Sequence, residues 1–359
     1  MSINIDRMKL KTRSALNKLE QCVHGSTTQD VLDFSTNTYP VRLPDEIIKV
    51  IEETIPQLGK YPETDSRKLR EKIADYINGS SDNVIIGNGA TELIRLISFC
   101  FPGNVFIPEP TYGEYEYSSR MYGSRIFTHR IPQEEEFLIN EEILKFPSNT
   151  NLVFLCNPNN PTGRVIPQNL LLSFLEEIEG SDVLLMLDEA YYDISDSYTL
   201  IEKAAEFNNL IVLRSLKGFG LCGLRLGYAV ANERVIEILD RTRPPWNVNA
   251  IAQRVGDICL NHPLLEKIRG TAVKSKEGLR KGLGRLPLRV YPSESNFFLI
   301  NIKDTNYSSS QLTESLLNKG LYVRDCSSFH YLNEDYIRIG VKTPNDNRIL
   351  IERLEEVLG

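Results

Sequence analysis

The feature of this sequence that most limits its fold is the alternation of short apolar runs with helical patterns through its middle. The apolar runs predict buried strands at Asn83–Ile86, Asn104–Ile107, Asn151–Cys156, Val183–Leu187, Leu210–Leu213 and Leu226–Val230. Helical patterns lie between several of them, at Thr91–Cys100, Pro167–Ile178 and Leu200–Phe207. Because parallel strands are joined by crossover helices, this order predicts an α/β class with a mostly parallel sheet.

The last third of the chain predicts a smaller α+β unit. Its pattern predicts long helices over Ala250–Leu283, strands at Arg289–Tyr291, Phe297–Ile302, Leu321–Arg324 and Tyr336–Val341, and helices at Ser309–Asn318 and Pro344–Val357. We therefore predict an N-terminal segment (1–45) that packs with the small domain, a large domain (46–245) and a small C-terminal domain (246–359).

Composition excludes several classes of protein. The chain has 359 residues, 41% hydrophobic and 25% charged, which is typical of a soluble globular protein of about two domains. Its cysteines form no CxxC pair and its histidines no HxxxH or HExxH motif, so we expect no metal centre and a reducing, cytoplasmic location. A net charge of −7 without a basic cluster disfavours a nucleic-acid partner. The absence of a signal sequence and of a long apolar run disfavours a membrane partner.

A glycine-containing turn follows the Asn83–Ile86 run and opens a helix. In Gly87-Asn88-Gly89-Ala90-Thr91 the glycines allow close backbone approach, and the free N–H groups of the helix start can bind a phosphate. A tight strand-to-helix turn explains the same residues. Glu92 stands where a dinucleotide-binding motif needs glycine, yet Glu109 follows at the spacing of about 20 residues that such a motif requires. A nicotinamide-dependent dehydrogenase therefore stays open at this point.

Polar residues follow three further apolar runs. The prolines around Glu109 predict a rigid turn that could fix Tyr112 against a flat cofactor. Turn-forming residues run unbroken over 157–163, and Asp188 ends a buried strand, where a carboxylate needs a cation or a hydrogen-bond donor. A core tyrosine, a plain turn and a helix cap would explain each of these separately.

The segment over 215–227 combines four glycines with Lys217 and Arg225. Leu216 and Phe219 flank the lysine, and desolvation by them would lower its pKa and favour the neutral amine that Schiff-base formation needs. A surface loop with a solvated lysine is the alternative interpretation.

Taken in this order, these segments resemble the fold-type-I enzymes that use pyridoxal 5′-phosphate (PLP), the aminotransferase class I/II family, over nearly the whole chain. The resemblance implies a large domain with a seven-stranded sheet and PLP as cofactor. It also implies that Lys217 forms the Schiff base, Asp188 pairs with the pyridinium nitrogen and Tyr112 stacks on the ring. The residues it assigns to the cofactor are Gly89, Ala90, Thr91, Tyr112, Asn160, Asp188, Tyr191, Ser215, Lys217, Arg225 and Tyr61. Asn160 and Tyr191 would bind the ring hydroxyl. Ala90, Thr91, Ser215 and Arg225 would bind the phosphate. Tyr61 matches a tyrosine that reaches the neighbouring subunit's site, which implies a homodimer.

Two subfamilies compete within this resemblance. The segments 157–163 and 219–225 are similar to histidinol-phosphate aminotransferase. The segments similar to L-threonine-O-3-phosphate decarboxylase are more numerous: His24-Gly25 with 32–37, 212–216, 245–250, 324–329 and 336–338. The second set includes the terminal segments that would close over substrate. It predicts decarboxylation of L-threonine O-3-phosphate to 1-amino-2-propanol phosphate in cobalamin biosynthesis. Alternatives are transamination of histidinol phosphate in histidine biosynthesis, or of another amino acid, and a non-catalytic PLP-binding regulator.

The substrate contacts follow from the preference of arginine for carboxylate and phosphate. We expect Arg338 to bind the substrate carboxylate and Arg324 its phosphate, assisted by His24, Asn37 and Asn160. For each arginine, a surface salt bridge is the alternative.

The sequence departs from the family pattern at two places. Ser26 stands where the decarboxylase-like start has a second glycine. One residue is missing before Lys217, so Arg214 and Leu216 occupy the usual hydroxyl positions. Because a one-residue slip reverses a side chain's direction on an extended segment, we expect phosphate binding to depend less on Ser215 than on Thr91, Arg225 and backbone N–H groups.

Overall fold

A computed structural model describes residue 16, residues 19–260 and residues 262–359. Its α-helices are α1 (Asp45–Thr54), α2 (Arg67–Tyr76), α3 (Ala90–Cys100), α4 (Glu114–Met121), α5 (Gln168–Ile178), α6 (Glu233–Asp240), α7 (Ala250–Cys259), α8 (Leu264–Leu283), α9 (Ser309–Leu317) and α10 (Pro344–Leu358). Its strands are β1 (Leu32–Asp33), β2 (Val84–Gly87), β3 (Asn104–Glu109), β4 (Arg125–Arg130), β5 (Leu152–Cys156), β6 (Leu184–Asp188), β7 (Leu210–Ser215), β8 (Gly227–Ala231), β9 (Arg289–Val290), β10 (Phe297–Asn301), β11 (Leu321–Tyr322), β12 (Arg324–Asp325) and β13 (Tyr336–Gly340). No helix in this described part is long and apolar enough to cross a membrane.

A seven-stranded sheet in the order β2-β8-β7-β6-β5-β3-β4 forms the centre of the molecule. Its pairs are parallel except that β8 runs antiparallel to both β2 and β7. The inner strands are continuous apolar runs because helices cover both faces of the sheet. The predicted α/β class and seven-stranded, mostly parallel sheet are thereby confirmed.

Alternate side chains of these strands belong to two separate cores. Leu185 and Leu187 of β6 pack into a core with helices α2, α5 and α7, whereas Leu184 and Met186 face the core beneath α3 and α6. This two-residue period is the one that a strand buried on both faces requires. The carboxyl ends of β5, β6 and β7 meet at one edge of the sheet, where ligands bind in open α/β folds.

A second sheet, in the order β12-β13-β10-β9, is antiparallel and packs with α8, α9 and α10 around a third core. The short β1 pairs in parallel with β11 in register Leu32 to Leu321, so residues near the N-terminus lie against the C-terminal part of the chain. Arg324 pairs with Arg338 across β12 and β13, which brings the two arginines close together.

Local structure differs from the sequence prediction at several places. The predicted helix over Leu200–Phe207 is wrong, because only the single 3-10 turn Ile201–Lys203 forms. The carboxylate of Glu189, the residue directly after β6, accepts a hydrogen bond from Leu200 N at 2.8 Å and so fixes the start of this segment. The predicted strand over 321–324 divides into β11 and β12, which lie in different sheets. Helices α1, α2, α4 and α6 and the edge strand β4 were not predicted; α4 and β4 have no strong apolar period.

Candidate active site

A cleft of about 740 Å³ opens between the carboxyl ends of the large sheet's strands and the small sheet. A deeper cavity lies at its floor. The cleft is lined by the predicted residues His24, Asn37, Tyr112, Asn160, Tyr191, Lys217, Arg225, Arg324 and Arg338. The deeper cavity is lined by Gly89, Ala90, Thr91, Tyr112, Asn160, Asp188, Tyr191, Ser215, Lys217 and Arg225. The structure thus brings together every predicted site residue except Tyr61, from segments distant in sequence.

Lys217 lies on a short 3-10 turn directly after β7. The turn is fixed because Ser215 Oγ accepts a hydrogen bond from Lys217 N at 3.1 Å and because Leu216 and Phe219 are buried. The Nζ atom lies 4.9 Å from the ring centroid of Tyr191. Burial lowers the pKa of Lys217, but the hydroxyls of Tyr191 and Tyr112 and the Asp188 carboxylate outweigh it and raise that pKa above its ordinary value. The expectation of a neutral amine is therefore wrong for the cofactor-free protein.

Asp188 ends β6 with a buried carboxylate that has two donors. Tyr115 donates a hydrogen bond of 2.7 Å to Oδ2, and Ala190 N donates one of 2.9 Å to Oδ1. Burial raises the pKa of Asp188, while these two hydrogen bonds act in the opposite direction. Sequence analysis expected a donor for this carboxylate but did not identify Tyr115, which lies on the unpredicted α4.

The start of α3 presents several hydrogen-bond donors at one corner of the deeper cavity. Gly89 precedes the helix with φ +76°, and no side chain caps the first-turn N–H groups. A Cβ atom built on Gly89 would lie 2.6 Å from Arg225 Nη2, so the guanidinium is close against the turn. Free N–H groups, a guanidinium and the nearby Thr91 are donors suited to a phosphate.

Three more predicted residues form the walls of the cavity. Tyr112 packs its ring edge-on against Tyr115 at 5.5 Å, and burial raises the pKa of Tyr112 to about 12. Tyr191 packs edge-on against Phe297 of β10 at 5.2 Å. Asn160 Oδ1 accepts a hydrogen bond from Arg338 Nη1. These contacts join the floor of the cleft to the small sheet.

The two predicted clamp arginines are both 5% exposed. Arg324 Nη2 donates to Val23 O at 2.7 Å and to Ser328 Oγ at 2.8 Å, and Arg338 Nη2 donates to Ser35 O at 2.7 Å. Within the described residues, no carboxylate lies at ion-pair distance from either guanidinium, and Arg338 Nε has no hydrogen-bond partner. The surface-salt-bridge interpretation is thus wrong for both, and two buried positive charges face one cleft without a carboxylate counter-ion in the described part of the chain.

The remaining predicted contacts have different surroundings. His24 Nε2 lies 3.0 Å from Glu114 Oε1 at the mouth of the cleft. The Asn37 amide is buried, and neither its oxygen nor its nitrogen has a hydrogen-bond partner among the residues that the structure describes. Tyr61 is 80% exposed and packs on Trp246 with ring centroids 4.7 Å apart, outside the cleft of its own chain.

Both departures from the family pattern have visible consequences. Ser26 adopts φ +106°, a conformation that favours the glycine expected there, and its N–H donates to Ser35 Oγ at 2.7 Å. Ser215 is buried and its hydroxyl accepts from Lys217 N, yet it still lines the deeper cavity. Its role towards a phosphate stays a prediction.

Glu109, which the sequence spacing suggested as the acidic residue of a dinucleotide-binding motif, lies in one wall of the cleft. Glu109 Oε2 accepts from Thr111 N at 2.6 Å, and burial raises the pKa of Glu109 to about 7. Its neighbour Glu116 lies 2.6 Å from His330 Nε2, and that hydrogen bond lowers the pKa of Glu116 to about 2. The Glu109 carboxylate is thus used to fix the turn that follows β3. It does not line the deeper cavity that contains Gly89, as a dinucleotide-binding site would require.

The fold and the cavity together define an α/β protein with a lysine, a buried aspartate and an uncapped helix start around one site. A family model described as aminotransferase class I and II matches residues 29–354, and the chain belongs to this family. Members of the family depend on PLP, which confirms the predicted cofactor and the class of enzyme.

Individual relatives carry two different names. A histidinol-phosphate aminotransferase of Thermoanaerobacter pseudethanolicus is 36% identical over 330 residues, 90% of this chain and 92% of that one. The crystal structure of L-threonine-O-3-phosphate decarboxylase from Porphyromonas gingivalis superposes with a TM-score of 0.83 at 29% identity, covering 91% of this chain and 99% of that one. The histidinol-phosphate aminotransferase structure from Clostridium acetobutylicum gives a TM-score of 0.85 at 27% identity over the same shares.

The residues present fit PLP. The uncapped start of α3 with Arg225 can hold its phosphate, and the buried Asp188 can accept from its ring nitrogen. Lys217, the amine that would bind its aldehyde, lines the same cavity as both. The donor set therefore matches the three polar features of the cofactor.

Proposed function

We propose that this protein is a PLP-dependent enzyme that decarboxylates L-threonine O-3-phosphate to 1-amino-2-propanol phosphate, a step of cobalamin biosynthesis. The observation that carries the proposal is the pair of buried arginines, Arg324 and Arg338, which share the cleft of Lys217 without a carboxylate partner among the described residues. A buried charge requires a counter-ion. A substrate that carries both a phosphate and a carboxylate supplies one to each guanidinium.

The two arginines would orient the substrate. Arg338 is held through Ser35 O and Asn160, close to Tyr191 and Lys217, so it is the one to bind the substrate carboxylate. Arg324 is held through Val23 O and Ser328 towards the mouth, where His24 lies, and would bind the phosphate. Fixing both ends of a small molecule determines which bond at Cα is presented for cleavage.

PLP, when bound, supplies an electron sink for negative charge at the substrate's Cα. Asp188 would keep the ring nitrogen protonated, with its own position fixed by Tyr115 and Ala190. Tyr112 would pack on the ring, and Asn160 with Tyr191 would bind its hydroxyl. As the carboxylate leaves as carbon dioxide, Lys217 Nζ would deliver a proton to Cα.

Transamination of histidinol phosphate is the second candidate. The 36% identity to a histidinol-phosphate aminotransferase over 90% of the chain supports it. In this reaction Lys217 Nζ would remove the Cα proton, and Arg338 would serve the carboxylates of the amino-group acceptor. The same PLP-binding residues would serve both reactions, so only the products distinguish them.

The test is product analysis by mass spectrometry. The PLP-loaded protein is incubated with L-threonine O-3-phosphate, and separately with histidinol phosphate, each with 2-oxoglutarate. The proposal expects 1-amino-2-propanol phosphate and no glutamate from the first substrate. Glutamate formed from the second substrate alone would overturn the proposal in favour of the aminotransferase.

We also propose that the protein acts as a cytoplasmic homodimer in which Tyr61 reaches the neighbouring site. The support is that Tyr61 and Trp246 form an exposed aromatic pair, which is costly to leave in water and suited to burial in an interface. Sedimentation of the wild type and of Tyr61→Ser tests this. A monomeric wild type would contradict it.

The domain division at residues 45 and 245 is likewise a proposal, supported by the pairing of β1 with β11.

A further inference from the structure

The segment from Phe34 to Thr38, here the 34–38 segment, lies directly on β13. Gly340 N donates to Phe34 O at 2.8 Å, and Arg338 donates to Ser35 O. A Cβ atom on Gly340 would lie 2.4 Å from Thr36 O, so no side chain could fit between the two. The 34–38 segment is thus hydrogen-bonded to the small sheet, and its residues Ser35 to Thr38 line the cleft.

Lys342, two residues beyond β13, holds the other half of the segment. Its Nζ donates to Thr38 O at 2.8 Å and to both O and Oγ1 of Thr36 at 3.2 Å. The residue is 7% exposed, and no carboxylate of the described residues lies at ion-pair distance. All three ammonium protons are therefore used on one short stretch of chain.

The backbone of Lys342 is itself fixed. Asn347 on α10 accepts from Lys342 N at 3.0 Å and donates to Lys342 O at 3.0 Å. Its amide nitrogen also lies 3.3 Å from Ser275 O on α8. The ammonium group thus extends from a rigid base formed by two helices.

Asn37 lies between the two threonines that Lys342 binds. Its carbonyl oxygen accepts from Asn296 Nδ2 at 3.1 Å, whereas its buried side-chain amide lines the cleft and neither of its polar atoms has a partner within residues 19–260 and 262–359. A buried amide without partners costs free energy unless a ligand completes its hydrogen bonds. The backbone on both sides of Asn37 is thus fixed by hydrogen bonds, while its side-chain amide lines the cleft.

We propose that Lys342 is a positioning residue for substrate recognition: its ammonium group fixes the 34–38 segment so that the Asn37 amide meets the substrate end bound by Arg338. The identity of that substrate rests on the proposed function. The placement of the segment does not.

This arrangement responds to pH. The charged and titratable groups around the ammonium are Asp33, Cys222, Asp346 and Arg338. Burial lowers the pKa of Lys342 to about 8, against the opposing effect of Asp33. Above that pH the amine has one donor fewer for its three acceptors, so we expect substrate binding to weaken as the pH rises through 8.

The test compares Lys342→Met with Lys342→Arg and with Lys319→Met, a matched surface lysine paired with Glu356. Hydrogen exchange is measured over residues 32–40 in the PLP-loaded protein without substrate. We expect faster exchange there in Lys342→Met only. With the substrate that the wild type turns over, we expect the KM of Lys342→Met to rise about tenfold, with little change in kcat or PLP affinity. A tenfold rise corresponds to the loss of one hydrogen bond between the Asn37 amide and a charged group of the substrate.

The pH profile and the rescue separate positioning from general destabilisation. Wild-type KM should rise above pH 8, whereas Lys342→Arg should keep a low KM there because guanidinium stays protonated. Unchanged exchange over residues 32–40 in Lys342→Met, or a loss of kcat equal to the rise in KM, would overturn the inference. If the wild type turns over neither phosphorylated substrate, the proposed function fails, while the exchange experiment still decides whether Lys342 positions the segment.

Discussion

The hydroxyl of Tyr115 lies 2.7 Å from Oδ2 of Asp188 and donates to it from a position completely buried against Phe154. A carboxylate at the end of a buried strand would otherwise favour its protonated form, because desolvation penalises charge. The tyrosine offsets part of that effect and fixes the orientation of the carboxylate. The chemistry of the site therefore depends on a residue of α4 that does not itself need to touch substrate.

Tyr115→Phe should weaken PLP binding without unfolding the protein. Removal of the hydroxyl leaves Asp188 with one donor fewer, so its pKa rises further and its pairing with the ring nitrogen weakens. We expect about a tenfold loss of PLP affinity in equilibrium dialysis, equivalent to ~1.4 kcal/mol. Tyr322→Phe, which removes a hydroxyl that does not line the cleft, is the control. Equal affinities of Tyr115→Phe and wild type would show that the hydrogen bond is unimportant for the cofactor.

Arg324→Ala should affect phosphorylated ligands selectively. The variant removes a buried guanidinium that has no carboxylate partner among the described residues, so its main loss is the substrate phosphate. Because charge-assisted hydrogen bonds contribute about 1.5–3 kcal/mol, we expect KM for L-threonine O-3-phosphate to rise at least tenfold. Weak binding of unphosphorylated L-threonine, measured by inhibition, should change little. A comparable loss for both ligands would place Arg324 outside the phosphate site.

Ser26→Gly should stabilise the protein. Serine at φ +106° is strained by about 1–3 kcal/mol, and glycine adopts this conformation freely. The hydrogen bond from Ser26 N–H to Ser35 Oγ has a backbone donor at position 26, so it is retained in the variant. Thermal unfolding should therefore occur at a higher temperature in Ser26→Gly than in wild type, and Ser26→Ala should not share the gain. A lower unfolding temperature for the glycine variant would contradict the strain.

Glu109→Gln should change how stability depends on pH. Burial raises the pKa of Glu109 to about 7 in the folded state, above its ordinary value near 4.5. Between these values the folded protein binds more protons at this group than the unfolded chain, so its contribution to stability falls as the pH rises. Since glutamine does not ionise, the stability of the variant relative to wild type should increase from pH 4.5 to pH 7 in urea unfolding. A constant difference would exclude Glu109 as the source.

The residues that line the deeper cavity could be predicted from the sequence more completely than the residues that hold them in position. Lys217, Asp188 and the Gly89 turn each follow an apolar run, and strand ends in a parallel sheet converge, so their proximity could be inferred. Tyr115 could not, because the pattern of α4 is mainly polar and the tyrosine is buried only by tertiary packing. Lys342 could not either, since its partners Thr36 and Thr38 lie about 300 residues earlier in the chain.

Isolated patterns also misled where tertiary contacts competed with them. Leu200–Phe207 has a helical pattern, yet Glu189 holds Leu200 N and Thr199 Oγ1 and so fixes the start of that segment. The apolar neighbours of Lys217 suggested a depressed pKa, but two tyrosines and Asp188 reverse its direction. Neither effect can be inferred from local sequence, because each depends on side chains contributed by other segments of the chain.

Product analysis with L-threonine O-3-phosphate and 2-oxoglutarate, using Lys217→Ala as the inactive control, distinguishes decarboxylation from transamination. We expect 1-amino-2-propanol phosphate and carbon dioxide in equal amounts, no glutamate, and a rate at least about 10²-fold lower in the variant, which lacks the amine that transfers the proton. Glutamate without the amine product would contradict the decarboxylase account. Full activity in Lys217→Ala would contradict the assignment of the site itself.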